Sequence, residues 1–239
     1  MPRPARPKRL PKVLTEPEVE ALRGRFRGKS VTGLRNRAIV EAMLGAGLRV
    51  AEACGLMASD VDLTEGSIRV NLGKGGRDRV VPIDGETCGW LRAWAEKRGR
   101  LGVNGRKPFF CAVRQGATGS ALRTEQVERM VRNAAEEAGI QEQDPVTRRH
   151  KVTPHALRHT YATRMLRQGF DVSEVQALLG HANLGTTSVY LHADPVRLRE
   201  RVQGRKPADP QVAKLAEALS KLTPEARAAL LEALQEGGE

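Results

Sequence analysis

Apolar residues recur at the spacing of an amphipathic helix in several parts of the chain. Leu34, Ala38, Ile39 and Met43 follow this pattern, and Gly45 and Gly47 predict its end just before Leu48 and Arg49. Arg49 is therefore expected on a turn that enters another short helix. Similar patterns predict helices around Trp90–Trp94, around Val127–Val131, and around Val175–Leu179, where Gly180 marks the end.

One region alternates apolar and polar residues as a half-buried strand does. Ile68, Val70 and Leu72 alternate with polar positions, and the run 79–83 follows across the glycine-rich, basic stretch 73–78. This pattern predicts a β-hairpin with a basic tip. The fold class is thus mainly α with a small antiparallel β-sheet or hairpin, an α+β protein.

Two helix starts carry recognisable capping residues. Thr15 is predicted as an N-cap with Glu18 as its reciprocal partner, and Thr153 as an N-cap followed by Pro154. Helical spacing puts His155, Arg158 and His159 on one face of this second helix, which Gly169 is expected to stop. Thr186 or Thr187 is predicted to cap the helix that presents Tyr190.

Changes in composition divide the chain into three parts. Residues 1–13 form a basic, proline-rich arm or linker, and residues 14–205 a single folded domain. Residues 206–239 form a tail of two amphipathic helices that is richer in acidic residues.

The overall charge points to a nucleic-acid partner. Lys and Arg total 40 against 28 for Asp and Glu, a formal charge of +12 with a pI near 10.2. Aromatic residues form 3% of the chain, which favours a surface that grips duplex phosphates over one that stacks on single-stranded bases. The sequence shows no membrane-spanning stretch and no signal peptide, so a cytoplasmic location is expected.

Cys54, Cys88 and Cys111 are odd in number and widely spaced, which predicts buried, reduced thiols. His155 and His159 resemble half of a zinc site, but no third ligand stands at a recognisable spacing. No metal is expected.

Cleavage of a DNA phosphodiester without a metal needs cations on the phosphate, a proton donor, a proton acceptor and a nucleophile. Arginine suits the phosphate because its forked guanidinium keeps its charge, whereas lysine can release a proton. His155 and Arg158 lie one turn apart near the start of a helix, where an anion is also favoured by the helix dipole.

Five motifs in order resemble the tyrosine recombinase or phage integrase family. They are the segments 47–52 (GLRVAE), 73–75 (GKG) with 79–82 (RVVP), 155–160 (HALRHT), 179–181 (LGH) and 187–190 (TSVY). The resemblance runs from about Leu14 to the basic segment after Tyr190. It implies the catalytic-domain fold of that family.

The resemblance also implies roles for individual residues. Arg49 and Arg158 correspond to arginines that clamp the phosphate, Lys74 to the lysine that protonates the leaving oxygen, and His155 to the general acid or base. His181 corresponds to a hydrogen-bond donor to the phosphate and Tyr190 to the nucleophile. Glu52 is expected to hold Arg49 in place. The basic residues expected to contact DNA are Lys12, Arg77 and Arg79.

The mechanism implied is transesterification through a 3'-phosphotyrosine and a Holliday junction, by a tetramer on two duplex DNA sites, without metal or nucleotide cofactor. The resemblance also leads us to expect that the family's core-binding domain is absent before residue 14. Without that domain, the catalytic domain should bind duplex DNA weakly, largely without sequence specificity, and in a salt-sensitive way. The tail either docks on a neighbouring subunit or packs on its own domain. The sequence does not identify accessory proteins.

Two other functions stay open at this point. A type IB-like topoisomerase shares the covalent chemistry but relaxes supercoils without exchanging strands. A DNA-binding module without catalysis is the second, because the short helices flanking residues 180–187 resemble a helix-turn-helix. Plainer interpretations also remain: Arg49 with Glu52 as a surface ion pair, Lys74 as a solvated turn residue, and His159 as a core histidine.

Overall fold

A computed structural model of the chain describes residues 13–27, 30–71, 78–103, 105–144, 150–180 and 195–204. The described residues up to Gln203 belong to one compact unit. Lys12, Lys74, Arg77, His181 and Tyr190 lie outside the described residues, as do the predicted arm and tail. The predicted domain boundaries therefore stay predictions.

Helices dominate the described part of the chain, and a small sheet interrupts them once. In chain order these elements are α1 Glu16–Arg25, α2 Val31–Gly45, α3 Val50–Gly55, a 3-10 turn Ala58–Asp60, β1 Val61–Asp62, β2 Ser67–Val70, β3 Arg79–Pro82, α4 Gly85–Arg100, α5 Thr124–Glu137, α6 Pro154–Arg167, α7 Val172–Leu179 and α8 Pro195–Val202. The predicted class, mainly α with a small antiparallel sheet, is confirmed.

The predicted capping residues begin their helices as expected. The Thr15 backbone N–H donates to Glu18 Oε2 at 2.9 Å, and the Glu18 N–H donates back to Thr15 Oγ1. Thr153 Oγ1 accepts from the Ala156 N–H at 3.2 Å at the start of α6. Side chains thus satisfy N–H groups that lack a partner within the helix.

The sheet is a hairpin extended by a strand that the sequence analysis did not predict. β2 and β3 pair antiparallel, with Val70 opposite Arg79, and β1 adds two residues on the other side of β2. β1 is too short to show alternation, which explains why it was missed.

Helix α2 lies at the centre and packs against α4 and α6. Its residues from Arg37 to Leu44 are buried in succession, including a carboxylate, Glu41. Arg37 Nε donates to Glu41 at 2.5 Å and Arg23 Nη2 at 2.7 Å, so the buried charge is paired from two sides. Burial raises the pKa of Glu41, and the two guanidinium groups partly offset this.

Helix α8 is fixed to the same unit by its arginines and by Gln203, which directly follows it. Arg201 pairs with Glu174 of α7 at 3.0 Å and stacks over the Phe170 ring. Gln203 Nε2 donates to the Glu65 carbonyl at 2.8 Å. The described chain therefore resumes, after the segment that carries Tyr190, on an anchored helix.

Within the described ranges, no helix is long and apolar enough to cross a membrane. Cys54 and Cys111 are buried free thiols as predicted, whereas Cys88 is half-buried. Burial raises the pKa of Cys54 to about 11, so this thiol stays protonated at neutral pH.

Candidate active site

The structure brings three arginines to one buried carboxylate. Glu52 Oε1 accepts from Arg49 Nη1 at 2.7 Å, and Glu52 Oε2 accepts from the Arg49 backbone N–H at 2.8 Å. Arg79 donates to both oxygens, at 3.0 and 2.8 Å. Arg158 Nη1 lies 3.8 Å from Glu52 Oε2. We call these four residues the arginine cluster.

Arg158 reaches the cluster from α6 and is held by backbone carbonyls. Its Nη1 donates to the Gly47 carbonyl, and its Nη2 donates to the Leu179 carbonyl at 2.5 Å. The first carbonyl precedes α3 and the second ends α7, so the guanidinium joins three elements. A buried guanidinium fixed at two points is preorganised, which favours electrostatic stabilisation of an anion.

Close packing at Gly47 makes this arrangement possible. Gly47 has φ +60°, and a Cβ there would lie 2.4 Å from Tyr161 Cδ1 and 2.9 Å from Leu179 Cδ2. A larger residue would push α6 and α7 away from the turn that carries Arg49. Gly47, which was predicted to end a helix, therefore also places its own carbonyl where Arg158 can donate to it.

Arg49 is the most open member of the cluster. Its side chain is 36% exposed, against 8% for Glu52, 7% for Arg158 and 1% for Arg79. A ligand that approaches from solvent therefore meets Arg49 first. Because three guanidinium groups face one carboxylate, the cluster carries excess positive charge and suits an anion such as a phosphate.

The ionisation of the cluster reflects this excess charge. Burial and the neighbouring Arg49 lower the pKa of Arg158 to about 10, while Glu52 opposes the change. Burial alone would raise the pKa of Glu52, but hydrogen bonds from Arg79 and Arg49 bring it below its ordinary value. Glu52 is therefore ionised at neutral pH.

The structure corrects the expectation for Arg79. Arg79 was expected to contact DNA, but its side chain is buried and its guanidinium binds Glu52 and the Leu178 carbonyl. Its neighbour Val80 is the exposed residue of that strand. The interpretation of Arg49 and Glu52 as a simple surface pair is also wrong, since Glu52 is buried among three arginines.

The histidines of α6 differ from Arg158 in their exposure to solvent. His155 and His159 are exposed, whereas Arg158 is buried, so the three residues do not share one environment. The prediction of His159 as a core histidine is wrong. Partial burial, together with the charges of His155 and Arg158, lowers the pKa of His159. His155 lies one turn before Arg158 on the solvent side.

Three backbone groups of the site could not be predicted from residue types. The carbonyls of Gly47, Leu178 and Leu179 accept from arginines, and a backbone carbonyl leaves no signal in residue type. Within the described residues, no group of three His, Cys, Asp or Glu side chains is placed to hold a metal ion.

The family follows from comparison with known proteins. The model of the phage integrase family matches residues 12–197. The chain belongs to the phage integrase family. Its arginine cluster thus sits in the domain that the family shares.

Curated relatives are tyrosine recombinases. The chain is 38% identical over 193 residues to tyrosine recombinase XerD of Ralstonia nicotianae, covering 81% of this chain and 59% of the relative. It is 36% identical over 203 residues to XerA of Thermococcus kodakarensis, covering 85% and 66%. The chain spans about 60% of the length of tyrosine recombinases of this kind.

Solved structures show the same fold. The crystal structure of XerA recombinase matches with a TM-score of 0.64 at 36% identity, over 87% of this chain and 68% of that chain. XerH site-specific recombinase, bound to its difH substrate in a pre-cleavage complex, matches with a TM-score of 0.59 at 28% identity, over 77% and 51%.

Replacing Gly180 by Ala is expected to destabilise the fold by about 1–2 kcal/mol. Gly180 has φ +65°, and a Cβ there would lie 2.9 Å from both Cδ and Nη1 of Arg79. Urea denaturation measures the change. Gly99→Ala is the control, because Gly99 lies in α4 with open space around it and Ala there should stabilise by about 1 kcal/mol. Equal effects of the two substitutions would contradict the packing described.

Replacing Glu52 by Gln is expected to lower the free energy of unfolding by about 3–5 kcal/mol, because buried guanidinium groups lose their carboxylate. Urea denaturation at neutral pH measures this. In the wild type, the contribution of the Glu52 carboxylate to the free energy of unfolding should disappear as the pH falls through the lowered pKa of Glu52. The Gln variant should lack this pH dependence.

The matched control for Glu52 is Glu16, which pairs with Arg164 at the surface and is 59% exposed. Glu16→Gln should cost less than about 1 kcal/mol, because solvent screens such a pair. A Glu52→Gln effect as small as that of the control would contradict the assignment of Glu52 as the central carboxylate.

Proposed function

We propose that this chain cuts and rejoins duplex DNA as the catalytic part of a site-specific recombinase, through a 3'-phosphotyrosine intermediate. The observation that carries the proposal is the arginine cluster: Arg49 and Arg158, at the motif positions of the family, converge on one preorganised and positively charged site. Such a site suits the phosphate of a DNA strand and the charge that develops on it during transfer.

The proposed reaction is a transesterification at phosphorus. The Tyr190 hydroxyl attacks the scissile phosphate, a phosphotyrosine bond forms, and the 5' oxygen leaves with a proton from Lys74. Arg49 and Arg158 neutralise the non-bridging oxygens, His181 donates a further hydrogen bond, and His155 accepts or returns the tyrosine proton. Attack by the 5' hydroxyl of a second duplex reverses the step, so no metal or nucleotide is consumed.

The distribution of tyrosines supports Tyr190 as the nucleophile. The chain has two tyrosines, and Tyr161 is fully buried beside Gly47. Burial raises the pKa of Tyr161 far above its ordinary value, which opposes formation of the phenolate. Tyr190 is the other tyrosine of the chain, and it stands in the motif 187–190 that the family uses for its nucleophile.

The proposed partners are duplex DNA and further copies of the chain. XerH site-specific recombinase, a similar structure, is bound to its difH substrate, and the charge of +12 on this chain provides the attraction that phosphate binding needs. Exchange between two sites needs two duplexes and four nucleophiles, so we propose a tetramer on DNA. Phosphate contacts do not select a sequence by themselves.

Covalent capture tests this function without knowledge of the target site. The protein is incubated with a pool of nicked duplexes of random sequence, in which cleavage near the nick releases a short strand and prevents religation. Adducts that survive denaturant are isolated, and their DNA is sequenced. We expect adducts enriched in one sequence, and their joining to a second duplex through branched junctions.

Two outcomes would favour the other functions. Duplex binding without any denaturant-resistant adduct would support a binding module. Adducts without sequence preference, together with relaxation of supercoiled DNA and no branched junctions, would support a type IB-like topoisomerase.

A further inference from the structure

Arg79 occupies the centre of the arginine cluster without reaching its surface. It lies on β3, directly after the hairpin tip, and its side chain is 1% exposed. Its Nη1 and Nη2 bind the two oxygens of Glu52, and its Nε donates to the Leu178 carbonyl at 2.9 Å. The paired contact fixes the carboxylate plane, which a single point charge cannot do.

Arg79 and Arg158 hold neighbouring carbonyls at the end of α7. Arg79 binds the Leu178 carbonyl, and Arg158 binds the Leu179 carbonyl. Both carbonyls belong to the helix terminus that carries partial negative charge, where cations are favoured. The position of this helix end is therefore set by the same two guanidinium groups that surround Glu52.

Gly180 shows how closely the backbone approaches Arg79. The left-handed glycine that ends α7 leaves no room for a side chain, because a Cβ would lie 2.9 Å from the Arg79 guanidinium. The chain then continues towards His181 and Tyr190. Arg79 thus lies beside Gly180, the last described residue before the segment with the proposed nucleophile.

We propose that Arg79 is a positioning residue that fixes Glu52, and through it Arg49, in the orientation that binds the scissile phosphate. This inference rests on the proposed function. Because its side chain is 1% exposed, we assign Arg79 no contact with DNA or with the reacting atoms. It acts by holding the Glu52 carboxylate in place, and Glu52 in turn holds both the guanidinium and the backbone N–H of Arg49.

Substitution of Arg79 by Gln should release this arrangement. Glu52 would keep Arg49 on one side and Arg158 at 3.8 Å on the other, so the carboxylate could turn towards Arg158 and draw it from the phosphate position. Loss of a group that orients a binding residue typically costs about 10- to 100-fold in activity. We expect a loss of that size in the rate of adduct formation.

The test is a double-substitution cycle with Arg79→Gln, Glu52→Gln and the two combined. Single-turnover adduct formation is measured on one nicked duplex recovered by covalent capture, at a temperature where each variant is folded. If Arg79 acts through Glu52, its removal should cost about 10- to 100-fold in the wild type and less than about threefold in the Glu52→Gln background. Equal losses in both backgrounds would overturn the proposal.

The dependence of the rate on pH separates positioning from structural support. Glu52 is faced by Arg49, Arg79 and Arg158, and Tyr161 lies near the two buried arginines. Without Arg79, burial of Glu52 is less well offset, so the carboxyl should protonate at higher pH and release Arg49. As the pH is lowered, the rate of adduct formation by Arg79→Gln should therefore begin to fall at a higher pH than the rate of the wild type. An unchanged profile would overturn the proposal.

Arg69→Gln is the matched control, because Arg69 is an exposed arginine on the neighbouring strand β2. It removes the same charge from the same hairpin and should change the rate less than about threefold, the change expected of a solvated surface charge. Arg79→Lys keeps the charge but not the paired contact, and should resemble Arg79→Gln. Full activity of Arg79→Lys would overturn the proposal.

Binding of inorganic phosphate tests Arg79 independently of DNA cleavage. The rise in Tm on adding phosphate, at constant ionic strength, measures occupation of the cluster. Arg79→Gln should reduce this rise in Tm. In the Glu52→Gln background, the further substitution Arg79→Gln should leave the rise unchanged. If the wild type does not cleave DNA but Arg79→Gln still reduces the rise in Tm with phosphate, only the proposed function is rejected. Cleavage unaffected by Arg79→Gln would reject the positioning role alone.

Discussion

The Tyr190→Phe variant is expected to form no covalent adduct with DNA while it binds duplex as the wild type does. The substitution removes one oxygen, which is the atom that joins to phosphorus, so the loss should reach the detection limit. The measurement is a denaturing gel of the captured nicked duplex, with duplex binding followed in parallel by a mobility shift.

The other tyrosine provides a close control. Tyr161 is buried, and its hydroxyl has no hydrogen-bond partner in the described part of the chain. Tyr161→Phe removes a buried oxygen and should leave both adduct formation and folding intact. Adduct formation by Tyr190→Phe, or its loss in a folded Tyr161→Phe variant, would contradict the assignment.

Replacing Arg158 by Ala is expected to reduce the rate of adduct formation by about 10²- to 10³-fold, the loss seen when one preorganised donor is removed from a site of developing charge. The substitution also leaves the carbonyls of Gly47 and Leu179 without their donor. Each buried acceptor that loses its partner costs about 1–3 kcal/mol of stability. Single-turnover kinetics and urea denaturation measure the two effects separately.

Arg167 is the control for this substitution, because it is an exposed arginine at the end of the same helix. Arg167→Ala should change stability by less than about 0.5 kcal/mol. Arg158→Lys should recover little activity, since one ammonium cannot span both carbonyls and a phosphate. If Arg158→Lys formed the adduct at the wild-type rate, the role described for the forked guanidinium of Arg158 would be contradicted.

Much of the fold could be predicted because the signals are local. The Thr15 and Thr153 caps, the glycine stops at Gly47, Gly169 and Gly180, and the hairpin all depend on residues close together in the sequence. The two-residue strand β1 has no comparable local signal and depends on its pairing with β2.

The burial of Arg79 could have been predicted from alternation. Val81 and Ile83 point into the core, so Arg79, two residues before Val81, lies on the same face of its strand. Its positive charge alone suggests contact with DNA, whereas the alternation places it in the core. An arginine on the inward face of a strand implies a buried carboxylate nearby, and here that carboxylate is Glu52.

The environments of Arg158 and its neighbours could not be predicted from spacing alone. Helical geometry places His155, Arg158 and His159 close together, but the packing of α6 against α2 and α7 decides which of them is buried. The carbonyl acceptors of Arg158 come from two distant turns, and their approach depends on the whole core.

The most direct test of the central claim is to identify the residue that bears the DNA. After nuclease treatment of the captured adduct, trypsin should place the two tyrosines on different peptides, residues 159–164 for Tyr161 and residues 168–197 for Tyr190. We predict by mass spectrometry that the remaining nucleotide is attached, through its 3' phosphate, to Tyr190 in the peptide 168–197. Attachment to the peptide 159–164, or through a 5' phosphate, would contradict the account.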